Sequence, residues 1–396
     1  MMQDKQQFKS YFQIRRGLPN VTRKLVGTDP IVVAFIGGSI TEGYGASEPD
    51  ETSWRALTGS YLKGKYLQGT VCCINAGVGG TTSTFGAHRM TEHVLANGEI
   101  DLLFVEFSVN DGEDREESIR GMEGIVRQCR RLSPQADICF VYTAAAKNLS
   151  VDIPFNIAVH EEVASHYEVP SINMAAGIRQ LIEEGEVQWE ALAPDLVHPN
   201  DAGYAQYAVY VKAFLEEVLS DRVTDTISPL TMPAPLTIGN YEFGVMLDVG
   251  QVEQQNGFEL TNEKPESLIN WRYDLEHLYS DNPSAEFSFI AAGRSTGLLL
   301  LCGPDTGIFE YSLDGVTFHA VNLFDEWCLG AYRPIIAVFQ LQADVASTRV
   351  TIRNTSQKDE RSTGNGLRVL KLLSRIPEAI SGVSIGLGVK FGIERF

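Results

Sequence analysis

Residues 31–45 read IVVAFIGGSITEGYG. The six apolar residues from Ile31 to Ile36 form a run of the length expected for a strand buried on both faces, as in a parallel sheet. The run stops at Gly37-Gly38, and Ser39 follows. A buried strand that ends in glycines holds the next residue at the C-terminal edge of the sheet, where open α/β folds bind ligands. A serine hydroxyl is inert at its free pKa. A reacting Ser39 therefore requires a base, a group that orients the base, and donors for an oxyanion. Glycines after a strand also cradle phosphates, but this stretch has neither the Gly-Lys-Ser/Thr of a P-loop nor G-x-G-x-x-G.

Outward from that strand the pattern is strand, helix, strand. Residues 1–28 are a polar, amphipathic lead-in with a short helix expected around 5–16, and Asp29-Pro30 turns into the strand. Downstream, 53–66 reads as a helix capped by Thr52 or Ser53, with Trp54, Leu57, Tyr61 and Leu62 on one face. Apolar strands are expected at 70–75, 102–109, 137–143 and 169–173, and helices at 118–132, 155–167, 175–184 and 199–220. The alternation predicts a doubly wound parallel sheet. Past Thr224 the helical periodicity fades and Pro229, Pro233 and Pro235 mark a linker. Short β-branched or aromatic segments follow at 285–291, 297–302, 308–313, 317–321, 335–341 and 349–353, separated by turn residues. They predict a β-sandwich, with an Asp314-Gly315 hairpin. The domains are read as 1–228 and 229–396. The glycine-alternating residues 381–396 could form a terminal strand.

Both halves are acidic, and the net charge is −19. That excludes a basic surface for nucleic acid or an anionic membrane. The N-terminal stretch has no apolar core of a signal peptide, and no run reaches the 18 apolar residues of a membrane span. The six cysteines have neither zinc-site spacing nor the look of a disulfide framework; they read as mostly buried free thiols, Cys72 and Cys73 among them on a strand. The expectation is a cytoplasmic protein with no metal and no cofactor.

Residues 192–204 read LAPDLVHPNDAGY. Asp195 and His198 are three apart, so in a helical turn they share a face within hydrogen-bonding reach. A carboxylate on one imidazole nitrogen fixes the tautomer and frees the other nitrogen to take a serine proton. Oxyanion donors are available from the N–H groups of Ser39 and of the 77–80 glycine loop, and from the Asn110 amide, all after strand ends. Asn110 could also cap the following helix. Glu106, inside a buried strand, needs a partner or a place at an edge, and Arg89 or Arg55 would serve as partner. His88 and His93 read as solvated or structural. Of the aromatic residues Trp271, Tyr311, Trp327 and Tyr332, core positions are expected more than sugar platforms.

The four blocks Gly-Gly-Ser39-Ile-Thr, Asn75-Ala-Gly-Val-Gly-Gly80, Ser108-Val-Asn110-Asp and Asp195-Leu-Val-His198-Pro resemble, in order, those of the SGNH (GDSL-like) hydrolases. The resemblance covers about residues 30–220. Gly38 stands where the usual motif has Asp, and Ser108 where Gly is common. The resemblance implies a flavodoxin-like α/β/α fold with Ser39 as nucleophile, His198 as base and Asp195 as orienter. It further implies an oxyanion hole from the Ser39 and Gly80 N–H groups and the Asn110 amide. Carbohydrate acetylesterases often join such a domain to a β-sandwich, here expected to be jelly-roll-like. The resulting expectation is a serine esterase that removes acetyl groups from an acetylated oligosaccharide. The alternatives are a thioesterase or lysophospholipase on the same triad, or a glycan-binding protein whose first domain is a scaffold. Three roles stay open for the second domain: glycan binding, walling the cleft, and homo-oligomerisation.

Overall fold

The computed structural model describes residues 11–66, 69–96, 98–219, 231–292, 295–340 and 347–375. The stretch that ends in Gly37 is strand β2 (Ile31–Gly37), flanked in one sheet by β3 (Val71–Gly77), β4 (Leu102–Glu106), β5 (Asp137–Tyr142) and β6 (Ser171–Asn173). These five strands are parallel and run spatially β3-β2-β4-β5-β6, the strand order of flavodoxin-like sheets. The sheet is mixed, not wholly parallel. Residues 12–13 form β1 (Phe12–Gln13), which pairs antiparallel with β6 at the edge. The part of the expected 5–16 helix that is described is therefore this strand, and residues 1–10 lie outside the described residues.

The burial pattern explains the continuous apolar runs. Val33, Ala34, Phe35 and Ile36 of β2 and Leu102 to Val105 of β4 are fully buried. Phe35 stacks on Phe104 at 5.2 Å, and Trp54 meets both rings edge-on. The chain moves from β2 to β3 in one direction, then back past β2 to β4, β5 and β6. Right-handed crossovers in opposite directions place their helices on opposite faces. Accordingly, helix Trp54–Lys65 packs with Asp201–Val218, and helix Arg115–Leu132 packs between Ser83–Arg89 and Phe155–His166. Because β3 is an edge strand, Cys72 and Cys73 are exposed, contrary to the buried position expected for them. The other four thiols are buried.

The boundary expected at 228/229 falls outside the described residues. Residues 236–243 are strapped to the first domain: Glu123 accepts the Leu236 and Thr237 N–H groups, and Tyr241 joins the first core. The second domain begins with β7 (Gly244–Asp248). It continues through β8 (Gln254–Asn256), β9 (Glu259–Thr261), β10 (His277–Ser280), β11 (Glu286–Ala292), β12 (Ser295–Cys302) and β13 (Gly307–Ser312). The last strands are β14 (His319–Val321), β15 (Arg333–Gln340), β16 (Ser347–Lys358) and β17 (Leu367–Arg375). One antiparallel sheet runs β15-β12-β17-β10-β9 with β7 also on β17, and the other runs β14-β13-β16-β11-β8. From β10 onward the strands distribute between the two sheets as in a jelly roll. The β13–β14 hairpin is present, with Gly315 at φ 74° and Asp314 accepting the Val316 and Thr317 N–H groups. Residues 381–396 lie outside the described residues.

Strand β12 shows how the domains meet. An antiparallel strand with one wet face alternates apolar and polar residues. Residues 298–301 are instead four leucines, all buried. Leu298 and Leu300 face the sandwich core with Phe287, Phe309 and Val350. Leu299 and Leu301, with Leu370 and Leu373, pack against Val78 and Phe85 of the first domain. Burial of each such leucine is worth about 1.5–3 kcal/mol relative to exposure. Lys371 adds ion pairs to Asp248 (2.6 Å) and, across the interface, to Glu92 (3.3 Å).

Candidate active site

Strand β2 delivers Ser39 to the C-terminal edge of the sheet. Gly38 is extended (φ −85°, ψ −153°), and Ser39 starts the short helix Ser39–Glu42 with only 9% of its surface exposed. Gly37 tolerates no side chain, because a Cβ would lie 2.6 Å from the Glu106 carbonyl oxygen. Arg89, fully buried, donates to the Gly37 (2.9 Å) and Ala76 carbonyls and so ties the ends of β2 and β3 together.

His198 reaches Ser39 from the loop before the last helix. Its Nε2 is 2.7 Å from Ser39 Oγ, and its Nδ1 is 2.6 Å from Asp195 Oδ2. The two residues are not on a helical turn as expected. Asp195 Oδ1 accepts the N–H groups of Val197 (3.0 Å) and His198 (2.7 Å), a side-chain-closed turn that puts Leu196 at φ 67°. The Leu196 carbonyl is held by the Ala146 N–H and the Trp189 indole. One carboxylate thus folds the loop and orients the imidazole. Partial burial works against its charge, but the His198 N–H, the His198 ring and the Val197 N–H outweigh it and hold Asp195 below the usual carboxylate range. With Nδ1–H donating to Asp195, Nε2 is the acceptor for the Ser39 hydroxyl. The Tyr44 ring lies 4.5 Å from the imidazole, and Gly45 (φ 91°) brings the chain against His198.

Asn110 sits beside the serine. A Cβ on Gly38 would lie 2.9 Å from Asn110 Cγ and closer still to Oδ1, with Nδ2 turned away at 3.3 Å. Asn110 does not cap the next helix; Asp114 does, accepting from the Glu117 N–H. The neighbouring Asp111 accepts from the N–H and hydroxyl of Ser83, the hydroxyl of Ser118 and the ring of His160, which anchors the asparagine loop. Ser108 is buried. Gly80 has φ 71°, and Gly79 donates its N–H to Glu42 Oε2 at 2.7 Å.

Glu106 is held by neither arginine expected for it. Arg55 pairs with Asp50. Thr41 (3.0 Å) and Thr143 (2.9 Å) donate to the Glu106 carboxylate together with the Gly38 N–H. Burial pushes its pKa up against those hydrogen bonds and the charge of His160. The carboxyl therefore fixes the backbone just before the serine. His88 and His93 are buried, not solvated: His88 bonds the Thr84 carbonyl and His93 stacks on Tyr273 at 3.4 Å.

The second domain supplies neighbours that sequence reading missed, because nothing local marks them. Arg272 donates to the Gly77 (2.7 Å) and Asn75 (2.6 Å) carbonyls and pairs with Glu42. Asn270 lies against Gly79, and Arg333 Nη1 is 3.3 Å from where a Gly80 Cβ would be. Trp271 is buried, Tyr311 stacks on Phe339 and Tyr332 bonds Asp305, whereas Trp327 is 65% exposed. A separate cavity of about 310 Å³ at the N-terminal edge of the sheet is lined by Arg16, Arg23, Arg130 and Asp137 among others, and by none of the residues around Ser39. Among the described residues no cluster of three His, Cys, Asp or Glu is placed to hold a metal ion, and no helix is long and apolar enough to cross a membrane.

Comparison with known proteins follows the same division. No curated protein sequence matches the chain. Among solved structures, a two-domain esterase (CEX) active on acetylated mannans superposes with a TM-score of 0.80 at 23% identity, covering 93% of this chain and 98% of that one. The same esterase co-crystallised with mannopentaose gives a TM-score of 0.76 at 24% identity, covering 89% and 92%. The likeness shows that both domains and their arrangement recur in that fold. Residues 35–206, which carry Ser39, Gly80, Asn110, Asp195 and His198, match the model of the GDSL-like lipase/acylhydrolase family.

Proposed function

We propose that the chain is a carbohydrate acetylesterase that works through an acyl-enzyme on Ser39. The observation that carries the reading is the continuous relay Ser39 Oγ–His198 Nε2 at 2.7 Å and His198 Nδ1–Asp195 Oδ2 at 2.6 Å. In this reading Ser39 Oγ attacks the ester carbonyl as His198 takes its proton. Asp195, below the usual carboxylate range, stays charged and stabilises the imidazolium. The N–H groups of Ser39 and Gly80 and the Asn110 amide receive the oxyanion. His198 then returns the proton to the departing sugar oxygen. Water, deprotonated by His198, attacks the acyl-Ser39, and acetate leaves as His198 returns that proton to Ser39 Oγ. The sugar-ester substrate is taken by analogy with the two-domain neighbour active on acetylated mannans.

The test is hydrolysis of 4-nitrophenyl acetate, butyrate and octanoate, and of acetylated manno- and xylo-oligosaccharides, by the wild type and Ser39→Ala. Fast acetate release that falls with chain length and drops about 10⁴-fold or more in Ser39→Ala is the expected result. Preference for octanoate or for acyl-CoA would replace the substrate class, and turnover indifferent to Ser39 would remove the mechanism.

A further inference from the structure

The loop that presents Gly80 is not held by the first domain alone. Glu42, three residues after Ser39, accepts the Gly79 N–H on Oε2 (2.7 Å), and its carbonyl accepts from Asn75 Nδ2 (3.2 Å). Its other carboxylate oxygen faces Arg272 Nη1 of the β-domain at 3.3 Å. The same guanidinium donates to two successive outward carbonyls of β3, Asn75 through Nη2 and Gly77 through Nη1. It lies over the Tyr273 ring (5.0 Å), which in turn stacks on His93. Asn270 closes the arrangement: a Cβ on Gly79 would lie 2.6 Å from its Cγ. The Gly79 N–H is thus bonded, its Cα is covered, and the carbonyl two residues earlier is gripped. The next peptide along carries the Gly80 N–H.

A planar fork that meets backbone carbonyls and a carboxylate at once is a task for arginine and not for lysine. A clamp whose only purpose was domain attachment would need no contact here, because the leucine face and the Lys371–Glu92 pair already join the domains. We propose that Arg272 is a positioning residue for the oxyanion site, holding the Gly80 peptide through Glu42 and Gly79, so that the β-domain completes the catalytic centre. The inference rests on the esterase reading above, in which Gly80 is an oxyanion donor.

The experiment uses the full-length protein and compares wild type, Arg272→Gln, Glu42→Ala and the double variant. Each is assayed for kcat and KM on 4-nitrophenyl acetate, and for inhibition by methylboronic acid, which forms a tetrahedral adduct on the serine. Misplacing one donor should lower kcat by about 10- to 100-fold and weaken the boronate by a similar factor, with KM within about threefold. The double variant should be no worse than the poorer single, since both act through one peptide. Should Arg272→Gln fail to fold, Glu42→Ala decides, because it leaves the arginine's carbonyl contacts in place. If these variants lose thermal stability but keep kcat and boronate affinity within about twofold of wild type, Arg272 is a structural clamp and the proposal is overturned. Turnover that survives Ser39→Ala overturns the esterase reading and this one together, whereas Ser39-dependent turnover unaffected by Arg272→Gln and Glu42→Ala overturns this one alone.

Discussion

Replacing Gly38 by alanine should disable the site while leaving the fold nearly intact. Gly38 has an extended backbone (φ −85°, ψ −153°) that any residue adopts, so no conformational strain is introduced. A methyl group there would sit 2.9 Å from Asn110 Cγ and closer to its Oδ1. Ordinary contact is about 3.5–4.0 Å, so the Asn110 side chain must withdraw by roughly 1 Å or more, or rotate. What yields is the far end of one half-buried side chain, at a cost of about 0.5–1.5 kcal/mol in rotamer energy. In the proposed mechanism that same amide is an oxyanion donor. Loss of one oxyanion donor costs about 10²–10³ in kcat, or about 2.7–4 kcal/mol of transition-state stabilisation. The expected result is therefore a large loss of kcat with a small loss of stability.

The assay is a cycle of wild type, Gly38→Ala, Asn110→Ala and the double variant, with kcat on 4-nitrophenyl acetate and urea denaturation for each. Both singles should fall about 10²- to 10³-fold, and the double variant should match Asn110→Ala, because the alanine acts only by moving the amide. A Gly38→Ala enzyme with near-wild-type kcat would refute the reasoning. So would a double variant whose loss equals the product of the two single losses.

Two further outcomes follow from buried groups around the sheet edge. Glu106→Leu leaves the Thr41 and Thr143 hydroxyls and the Gly38 N–H without their acceptor, each at about 1–3 kcal/mol, so a fall of several kcal/mol in urea-unfolding free energy is expected, and an unchanged midpoint would contradict it. For His88, burial pushes the imidazole down to about 4 against its bond to the Thr84 carbonyl. The unfolded chain takes a proton near 6.5 that the folded chain refuses, so stability is lost as pH falls from about 6.5 to 4, by up to about 3 kcal/mol. His88→Gln should flatten unfolding free energy against pH in that window; an identical slope in the two proteins would show that other groups carry it.

Much of the first domain was legible because its signals are local. A six-residue apolar run between turn residues is read correctly without knowing its neighbours, and three of the four blocks lie within a few residues of a strand end, the fourth just before the last helix of the domain. Where reading failed, the deciding partner lay far away in sequence. Cys72 and Cys73 look like a core strand until the strand order puts β3 at the edge. Phe12–Gln13 lies in a polar, amphipathic stretch that reads as a helix, and it forms a strand because β6 offers an open edge. Glu106 finds hydroxyls at positions 41 and 143 in place of an arginine. Asp195 and His198 were paired correctly for the wrong geometric reason, since a carboxylate-closed turn brings together residues that a helix would also have brought together. The central strand β17 was missed altogether; its run LRVLKLLSR interposes Lys371, whose charge is met only by Asp248 and, from the other domain, Glu92.

The glycines of residues 77–80 carry the argument for treating the two domains as one working unit. A glycine loop is usually explained by the turn it makes or the ligand it admits. Here each glycine has a different reason. Gly77 is crossed by the backbone of Glu42, a Cβ meeting its Cα at 2.6 Å. Gly80 adopts a left-handed φ of 71°. Gly79 has neither excuse, since what fills the space of its missing side chain is Asn270 of the β-domain. A first domain that functioned alone would carry no penalty for a side chain at 79, as its outer side would face solvent. The four-leucine face of β12 and β17 points the same way, because an appended binding module would present polar residues on that surface. Two independent kinds of feature, the missing side chain of Gly79 in one domain and the two-faced apolar strands in the other, are thus intelligible only in the presence of the other domain.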